Sequence, residues 1–200
     1  ANLYPYTFHG IRAREKMVEA GISFPESNAQ SSTAFPSINL DRALTPLEQF
    51  HHIRALELSE LGMDAESRIE IKQLEKSVRK NLTGVLWLSK LYHKSGAYSE
   101  SLKLLQSYKD FATKSGERNL PPQFWKFFFP LAYNDAVIKN SKYLKVDPHF
   151  INGIIRQESL FDRRALSPAG ARGLMQIMPA TGKNLYPKTK QKIPFEADVL

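Results

Sequence analysis

The sequence predicts an all-α protein, because hydrophobic side chains recur at helical spacing along most of its 200 residues and one helical pattern occurs twice. Hydrophobic residues make up 42% of the chain and charged residues 24%, which is typical of a folded globular protein and argues against disorder. No apolar run reaches the roughly 18 residues that a transmembrane helix requires. We therefore expect helices packed around a core.

Net charge and cysteine content exclude several classes of function. A net charge of +8 favours anionic neighbours, such as nucleic acid, phospholipid or an acidic wall polymer. The basic residues are scattered, with no block of five or more, so nucleic-acid binding is not expected. The absence of cysteine excludes disulfides, thiol catalysis and cysteine-based zinc sites. Residues 1–5 lack the features of a signal peptide, so we expect that any such signal is absent from this chain.

The first predicted region, residues 1–123, contains helices and one long loop. Apolar spacing over residues 8–20 predicts a helix, and a stretch rich in Ser, Asn and Pro at about 22–44 predicts a surface loop. A Thr-Pro pair at 45–46 then begins a helix, which Gly62 ends.

Four helices after this loop are predicted to form two copies of one unit. Residues 62–67 match residues 96–101 at an offset of 34 residues. This offset is the period of the tetratricopeptide helix-turn-helix, so the pattern predicts an α-superhelical, tetratricopeptide-like scaffold, with a generic helical hairpin as the alternative. His51 and His52 lie on this scaffold, and adjacent residues point to different faces of a helix, so no metal site is expected there.

The second predicted region, residues 124–200, begins with an aromatic run. Residues 124–130 read Phe-Trp-Lys-Phe-Phe-Phe-Pro, and exposing a patch of that size to water would be costly. We interpret the run as core at a domain junction rather than as a surface that stacks on substrate. Further along, Asp147 and Pro148 predict the start of a helix, with an N-cap carboxylate and proline at the first helical position.

Glu158 is the candidate catalytic residue. On the predicted helix it shares one face with three isoleucines, at positions 151, 154 and 155. A carboxylate on an apolar stripe loses hydration, and desolvation favours the neutral form that a general acid needs. Arg156 is expected to point elsewhere on the helix and not to cancel this effect. The alternative is an ordinary helix-end glutamate paired with a lysine or with backbone amides.

A glycine-rich segment follows this helix. Residues 167–182 predict a turn, an apolar stretch and a helix begun by proline, in which Gly170 and Gly173 allow close backbone approach. Gln176 is the one amide among apolar neighbours and suits hydrogen bonding to a hydroxyl or acetamido group. Phosphate-binding glycine motifs and H-E-x-x-H are absent from the sequence, so no cofactor or metal ion is expected.

Four segments, in their order and spacing, resemble the catalytic domain of the family 1 soluble lytic transglycosylases, which has a lysozyme-like fold. They are residues 129–133 (FPLAY), 156–159 (RQES), 167–171 (SPAGA) and 173–179 (GLMQIMP). The earlier residues resemble the α-superhelical part of that family more loosely. The resemblance implies superhelical repeats over residues 1–123 and the N-terminal part of a lysozyme-like domain over residues 124–200.

The resemblance also implies a function, a location and site residues. The family cleaves the β-1,4 bond between N-acetylmuramic acid and N-acetylglucosamine in peptidoglycan, in the bacterial periplasm, and leaves a 1,6-anhydromuramic acid end. Glu158 matches the single catalytic acid and base of the family, and Ser167, Gln176 and Met178 match positions that contact the glycan. Asp162 is interpreted as a turn or capping residue. Peptidoglycan strands are the implied substrate, and the helical repeats are a candidate surface for cell-wall protein partners.

Two other functions stay open from the sequence. A hydrolase of the same lysozyme-like fold would release reducing muramic acid, and a non-catalytic protein would use its repeats as a scaffold and bind glycan without turnover. The sequence stops before the Ala-Tyr-Asn motif of the family and carries Gly182 where the family has alanine. It therefore resembles an internal fragment, for which activity in isolation is not implied.

Overall fold

A computed structural model of the protein describes residues 16–22, 44–78, 81–114 and 120–189, and within them it confirms the all-α class. After a short helical stretch at 16–19, these ranges contain eight α-helices: α1 (Pro46–Glu60), α2 (Asp64–Val78), α3 (Leu82–Lys94), α4 (Tyr98–Lys114), α5 (Pro122–Phe128), α6 (Asn134–Leu144), α7 (Pro148–Ser159) and α8 (Pro179–Leu185). A 3₁₀ helix, Tyr186–Thr189, follows α8. None of the helices in the described ranges is long and apolar enough to cross a membrane.

Some predictions fall outside the described ranges. The helix predicted over residues 8–20 is described only from residue 16, and residues 23–43 of the predicted loop are not among the described residues. The boundary between residues 123 and 124 stays a prediction.

The start of α1 agrees with the sequence prediction. Pro46 occupies the first turn, and Thr45 forms a capping box with Glu48. The Thr45 hydroxyl accepts a hydrogen bond from the Glu48 backbone N–H at 3.3 Å, and the Glu48 carboxylate accepts one from the Thr45 N–H at 2.6 Å. These bonds satisfy two backbone donors that a helix N-terminus otherwise leaves unpaired.

The two copies of the 34-residue pattern share their turn geometry. Gly62 and Gly96 each end the first helix of a copy with a positive φ, 74° and 65°, a conformation that side chains with a Cβ rarely adopt. The same turn is closed by equivalent backbone bonds, Met63 N–H to Leu58 C=O at 2.9 Å and Ala97 N–H to Tyr92 C=O at 2.7 Å. The geometry supports an internal repeat, and its assignment to the tetratricopeptide class stays a prediction.

Small buried residues let the helices of each copy pack closely. In the first copy the hydroxyl of buried Ser67 donates to the Ala55 carbonyl at 2.8 Å, across the interface between α1 and α2. The equivalent residues in the second copy, Ser101 and Ser89, are also fully buried. The helices α1 to α4 pack in sequence, each on the next.

The two adjacent histidines point to different faces of α1, as predicted. His51 Nδ1 lies 2.6 Å from Glu70 Oε2 of α2. The ring of His52 packs instead against Trp87 of α3, with centroids 5.2 Å apart.

The aromatic run forms core where α5 meets α3 and α4, which confirms the prediction of core, while the domain junction stays a prediction. Phe124 and Phe128 are buried and stack on each other at 5.5 Å with an interplanar angle of 20°. Trp125 packs edge-on against both rings and donates its indole N–H to the Leu120 carbonyl at 3.2 Å. Phe129, in contrast, is 48% exposed.

Because Nε2 of His93 is buried, we expect the free energy of unfolding of the protein to fall in mild acid. Its ring is packed edge-on between Tyr98 and Phe127, each at 4.9 Å, and among the described residues its buried Nε2 has no hydrogen-bond partner. Burial therefore lowers the pKa of His93 from 6.5 to about 4. Between those values the unfolded chain binds a proton that the folded chain does not, so stability is full above about pH 6.5 and falls towards pH 4, by about 2–3 kcal/mol.

Urea unfolding at pH 7.5 and pH 4.5 measures this effect. His93→Phe keeps a ring in the junction, and we expect it to lose less stability between the two pH values than the parent protein. His149→Phe, at an exposed position on α7, serves as the matched control and should follow the parent. An identical pH dependence in all three proteins would contradict the assignment to His93.

Candidate active site

The helix α7 begins where the sequence predicts. The Asp147 side chain caps it by accepting a hydrogen bond from the His149 backbone N–H at 2.7 Å, and Pro148 occupies the first helical position. Because proline lacks an N–H and has a helix-compatible φ, this pair begins a helix at little cost. The helix ends at Ser159, one residue after Glu158.

Glu158 is exposed, so the prediction that it lies shielded on the apolar stripe is wrong. The residues of α7 that are buried are Asn152, Ile155 and Ser159, while Ile154 is only half-buried. The buried face is therefore rotated away from Glu158. Two of its three members are polar, and for this reason the spacing of hydrophobic residues misplaced it.

Two consecutive non-glycine residues with positive φ end α7. Leu160 has a φ of 51° and Phe161 a φ of 64°, which together turn the chain sharply after Glu158. Each such conformation costs about 1 kcal/mol or more for a residue with a Cβ. Burial of the Phe161 side chain, which is 2% exposed, offsets this cost, and the Phe161 carbonyl accepts a hydrogen bond from the Tyr133 hydroxyl at 3.4 Å.

Ser159 joins the end of α7 to the glycine-rich segment. Its hydroxyl lies 3.0 Å from the Ile155 carbonyl of its own helix and 2.9 Å from the Leu174 carbonyl. Leu174 is two residues before Gln176, so the loop with the candidate glycan contacts is held beside the residue that follows Glu158. In the segment RQES, Glu158 is thus the candidate acid, and Ser159 has a structural role because it holds the glycine-rich loop against α7.

The glycine-rich segment forms a compact antiparallel loop. Isolated bridges pair Leu166 with Arg172 and Arg172 with Ile177. The Ser167 hydroxyl accepts a hydrogen bond from the Ala171 N–H at 2.9 Å, which closes the tip. Gly170 at this tip has a φ of 89°, and a Cβ there would meet nothing within 4 Å. Glycine is therefore suited to this position by its backbone angle, and the prediction of close backbone approach at Gly170 is wrong.

Gln176 holds this loop together. Its own φ is 49°, and its Nε2 group donates to the Ala165 carbonyl at 3.2 Å and the Gly173 carbonyl at 2.9 Å. Both amide hydrogens are thus used within the loop, whereas the sequence suggested that they face a ligand. None of the described residues donates a hydrogen bond to its Oε1, so this oxygen is the atom that Gln176 can offer to a hydroxyl or an acetamido N–H.

The remaining candidates are Met178 and Ser167, which are at least partly accessible to solvent, and Asp162, which stabilises a turn. Met178 is 42% exposed and directly precedes α8, which begins at Pro179 as predicted. Ser167 is half-buried. Asp162 accepts a hydrogen bond from the Arg164 N–H at 2.9 Å, which confirms its interpretation as a turn residue.

Arg156 makes contacts that the sequence analysis missed. Its guanidinium donates from Nη1 to the Phe128 carbonyl and lies over the rings of Phe128 and Phe129, at 4.4 and 4.9 Å from their centroids. Burial lowers the pKa of Arg156. The side chain is thus directed at the aromatic run, in agreement with the expectation that it does not pair with Glu158. The sequence signal that could have indicated these contacts is the aromatic run at residues 124–129, because the faces of aromatic rings attract cations.

The chain is similar to known proteins in sequence. Residues 135–198 match the transglycosylase SLT domain family. The soluble lytic murein transglycosylase of Salmonella typhimurium is 45% identical over 53 residues, which are 26% of this chain and 8% of the relative. The transglycosylase of Enterobacteria phage PRD1 is 44% identical over 45 residues, 22% of this chain and 17% of the relative. The matches thus cover a small part of these relatives.

Structural similarity extends over most of the chain. The crystal structure of the 70 kDa soluble lytic transglycosylase of Escherichia coli superposes with a TM-score of 0.61 and 21% identity, and the match covers 92% of this chain and 27% of that protein. At this identity the similarity establishes the fold, which is the α-helical arrangement expected from the sequence. Residues 135–198, a range that includes Glu158, thus carry the sequence pattern of the transglycosylase SLT domain family.

Proposed function

We propose that this chain is part of a lytic transglycosylase, which cleaves the β-1,4 bond between N-acetylmuramic acid and N-acetylglucosamine in peptidoglycan and leaves a 1,6-anhydromuramic acid end. The observation that carries the proposal is the placement of Glu158. It is exposed at the end of α7, and its neighbour Ser159 is bonded to the loop that contains Gln176. An exposed acid can reach a bond within a long polymer, and a loop held beside that acid can position the polymer for cleavage.

Glu158 acts as both acid and base in this proposal. Its carboxylic acid donates a proton to the glycosidic oxygen as the bond from that oxygen to C1 of the muramic acid breaks. The resulting carboxylate then removes the proton from the muramyl C6 hydroxyl, whose oxygen bonds to C1. No water is consumed and the proton returns to Glu158, so one carboxyl group suffices, whereas ordinary glycosidases use a pair.

The exposure of Glu158 fits this chemistry when substrate is bound. A general acid must hold its proton, and removing water from a carboxyl group favours the protonated form. A glycan strand lying over Glu158 would remove that water, a step that the protein's own packing does not provide. Substrate binding would therefore prepare the acid.

Three residues of the loop are proposed to contact the glycan. Gln176 offers Oε1 to a hydroxyl or acetamido N–H, while its Nε2 keeps the loop closed. Met178 presents an exposed thioether chain to the apolar face of a sugar ring. The Ser167 hydroxyl keeps its hydrogen for a ligand after accepting from Ala171.

Location and partners follow from the same proposal. Peptidoglycan lies in the bacterial cell envelope, so we place the protein in the periplasm. The net charge of +8 suits contact with anionic wall polymers. The helical repeats, α1 to α4, are proposed as the surface for other cell-wall proteins.

Product analysis tests the proposal. Purified peptidoglycan is incubated with the protein and the soluble products are identified by mass spectrometry. We expect muropeptides with 1,6-anhydromuramic ends, which are one water lighter than reducing ends. Reducing muramic acid would instead establish a hydrolase, and glycan binding without products, both by this chain and by a longer protein that contains it, would establish a non-catalytic scaffold; either result contradicts the proposal.

A further inference from the structure

We propose that Arg156 is a positioning residue for Glu158, because it fixes the last turn of α7 against the aromatic end of α5. The inference rests on the proposed function, in which Glu158 is the acid, and adds a residue to that site. Arg156 acts through the placement of Glu158 and has no contact with the reacting atoms.

The first contact is a hydrogen bond at a helix end. Phe128 is the last residue of α5, and the carbonyls of a final turn have no partner within their own helix. Arg156 Nη1 donates to the Phe128 carbonyl. A cation at this position also interacts favourably with the negative end of the helix dipole. The bond links α7 to α5, two elements separated in sequence by α6.

The second contact is the packing of the guanidinium on two rings. Arg156 lies 4.4 Å from the Phe128 centroid and 4.9 Å from that of Phe129. Phe128 itself stacks on buried Phe124, and Lys109 of α4 places its Nζ 5.3 Å from the Phe128 centroid. Cations from α4 and α7 thus meet the same ring, which connects α7 to the helical repeats.

These contacts bracket Glu158. Arg156 holds the chain two residues before it, and Ser159 holds the chain one residue after it through the Leu174 carbonyl. The backbone of Arg156 also accepts the Leu160 N–H at 3.1 Å, which closes the last turn of α7 around Glu158. A catalytic group needs placement within about 0.5 Å, and two anchors on opposite sides restrict the turn in this way.

The charge of Arg156 is unnecessary for packing alone. Among the described residues it forms no ion pair, although the side chain is half-buried and desolvated. An aliphatic side chain would fill this space without the cost of removing a cation from water. The cation is explained by its directed contacts with the Phe128 carbonyl and the two rings.

The test compares Arg156→Met and Arg156→Lys with Arg164→Met, a matched change at an exposed arginine outside this cluster. Each variant is made in the full chain. Turnover of peptidoglycan gives kcat and KM, and hydrogen exchange followed by mass spectrometry or NMR reports the amides of residues 158–162.

We expect Arg156→Met to lower kcat at least tenfold with KM within twofold, and to raise exchange at residues 158–162 at least tenfold while α2 and α3 stay unchanged. Arg156→Lys, which keeps a cation and a donor, should recover part of both effects, and Arg164→Met should match the parent. Unchanged exchange at residues 158–162, an equal rise throughout the chain, or faster exchange with unchanged kcat would each overturn the inference.

The two proposals fail in different ways. If neither this chain nor a longer protein that contains it produces anhydromuropeptides, the proposed function is refuted. Hydrogen exchange does not depend on turnover, so it still decides whether Arg156 holds the turn that contains Glu158.

Discussion

Glu158→Gln is expected to lower the rate of peptidoglycan cleavage by about 10²–10⁴-fold, the range that general acid–base catalysis contributes in enzymes. Glutamine has nearly the same volume as glutamate but cannot donate a carboxylic proton or remove one from the C6 hydroxyl. Because Glu158 is exposed, the change costs little packing, and folding should be unaffected. The release of soluble muropeptides over time measures the rate.

Asp162→Asn is the matched control for this experiment. It makes the same carboxylate-to-amide change four residues later, and asparagine keeps the side-chain oxygen that accepts the Arg164 N–H. We expect its rate to stay within about threefold of the parent, as for a turn residue outside the chemistry. Retention of most activity by Glu158→Gln, or an equal loss in both variants, would refute the role of Glu158 as the single acid and base.

Phe124→Ala is expected to reduce the free energy of unfolding by about 3–5 kcal/mol, the usual cost of removing a buried aromatic ring. Phe124 is 0% exposed and contacts rings on both α4 and α5, including Tyr108 at 6.4 Å and Phe128 at 5.5 Å. Its removal leaves a cavity at the junction that the neighbouring rings fill only in part. Urea unfolding followed by circular dichroism measures the change.

Phe150→Ala removes the same atoms from α7 at a position that is 63% exposed. We expect a change of about 0.5 kcal/mol or less, as for most surface substitutions. A similar small change for Phe124→Ala would show that the aromatic run is not the core of the junction.

The helix boundaries were predictable where a local signal is strong. Thr45 and Asp147 each cap the helix that the sequence assigns to them, and Gly62 and Gly96 end the repeated turn with positive φ. Capping and left-handed turns depend on the residue and its immediate neighbours, which are visible in the sequence.

The orientation of the candidate site was less predictable. Ser159 and Asn152 are buried, so the inward face of α7 is partly polar. The positions of the isoleucines therefore predicted a buried face that included Glu158, whereas the structure exposes it. Gln176 was assigned to ligand binding, whereas its Nε2 group holds the loop together by donating to the carbonyls of Ala165 and Gly173. Such bonds run from a side chain to backbone carbonyls, and because every residue has a carbonyl, no residue pattern indicates which one is the acceptor.

The sequence by itself determined the all-α class, the repeated unit, the start of α7 and the family segments around Glu158, because each is visible as a residue pattern along the chain and needs no knowledge of how the helices pack. Only the tertiary structure decided which face of α7 is buried and that Arg156 binds the end of α5, 28 residues away in sequence. Contacts at that separation depend on how helices pack, since packing selects one face of a helix from several that satisfy its local periodicity.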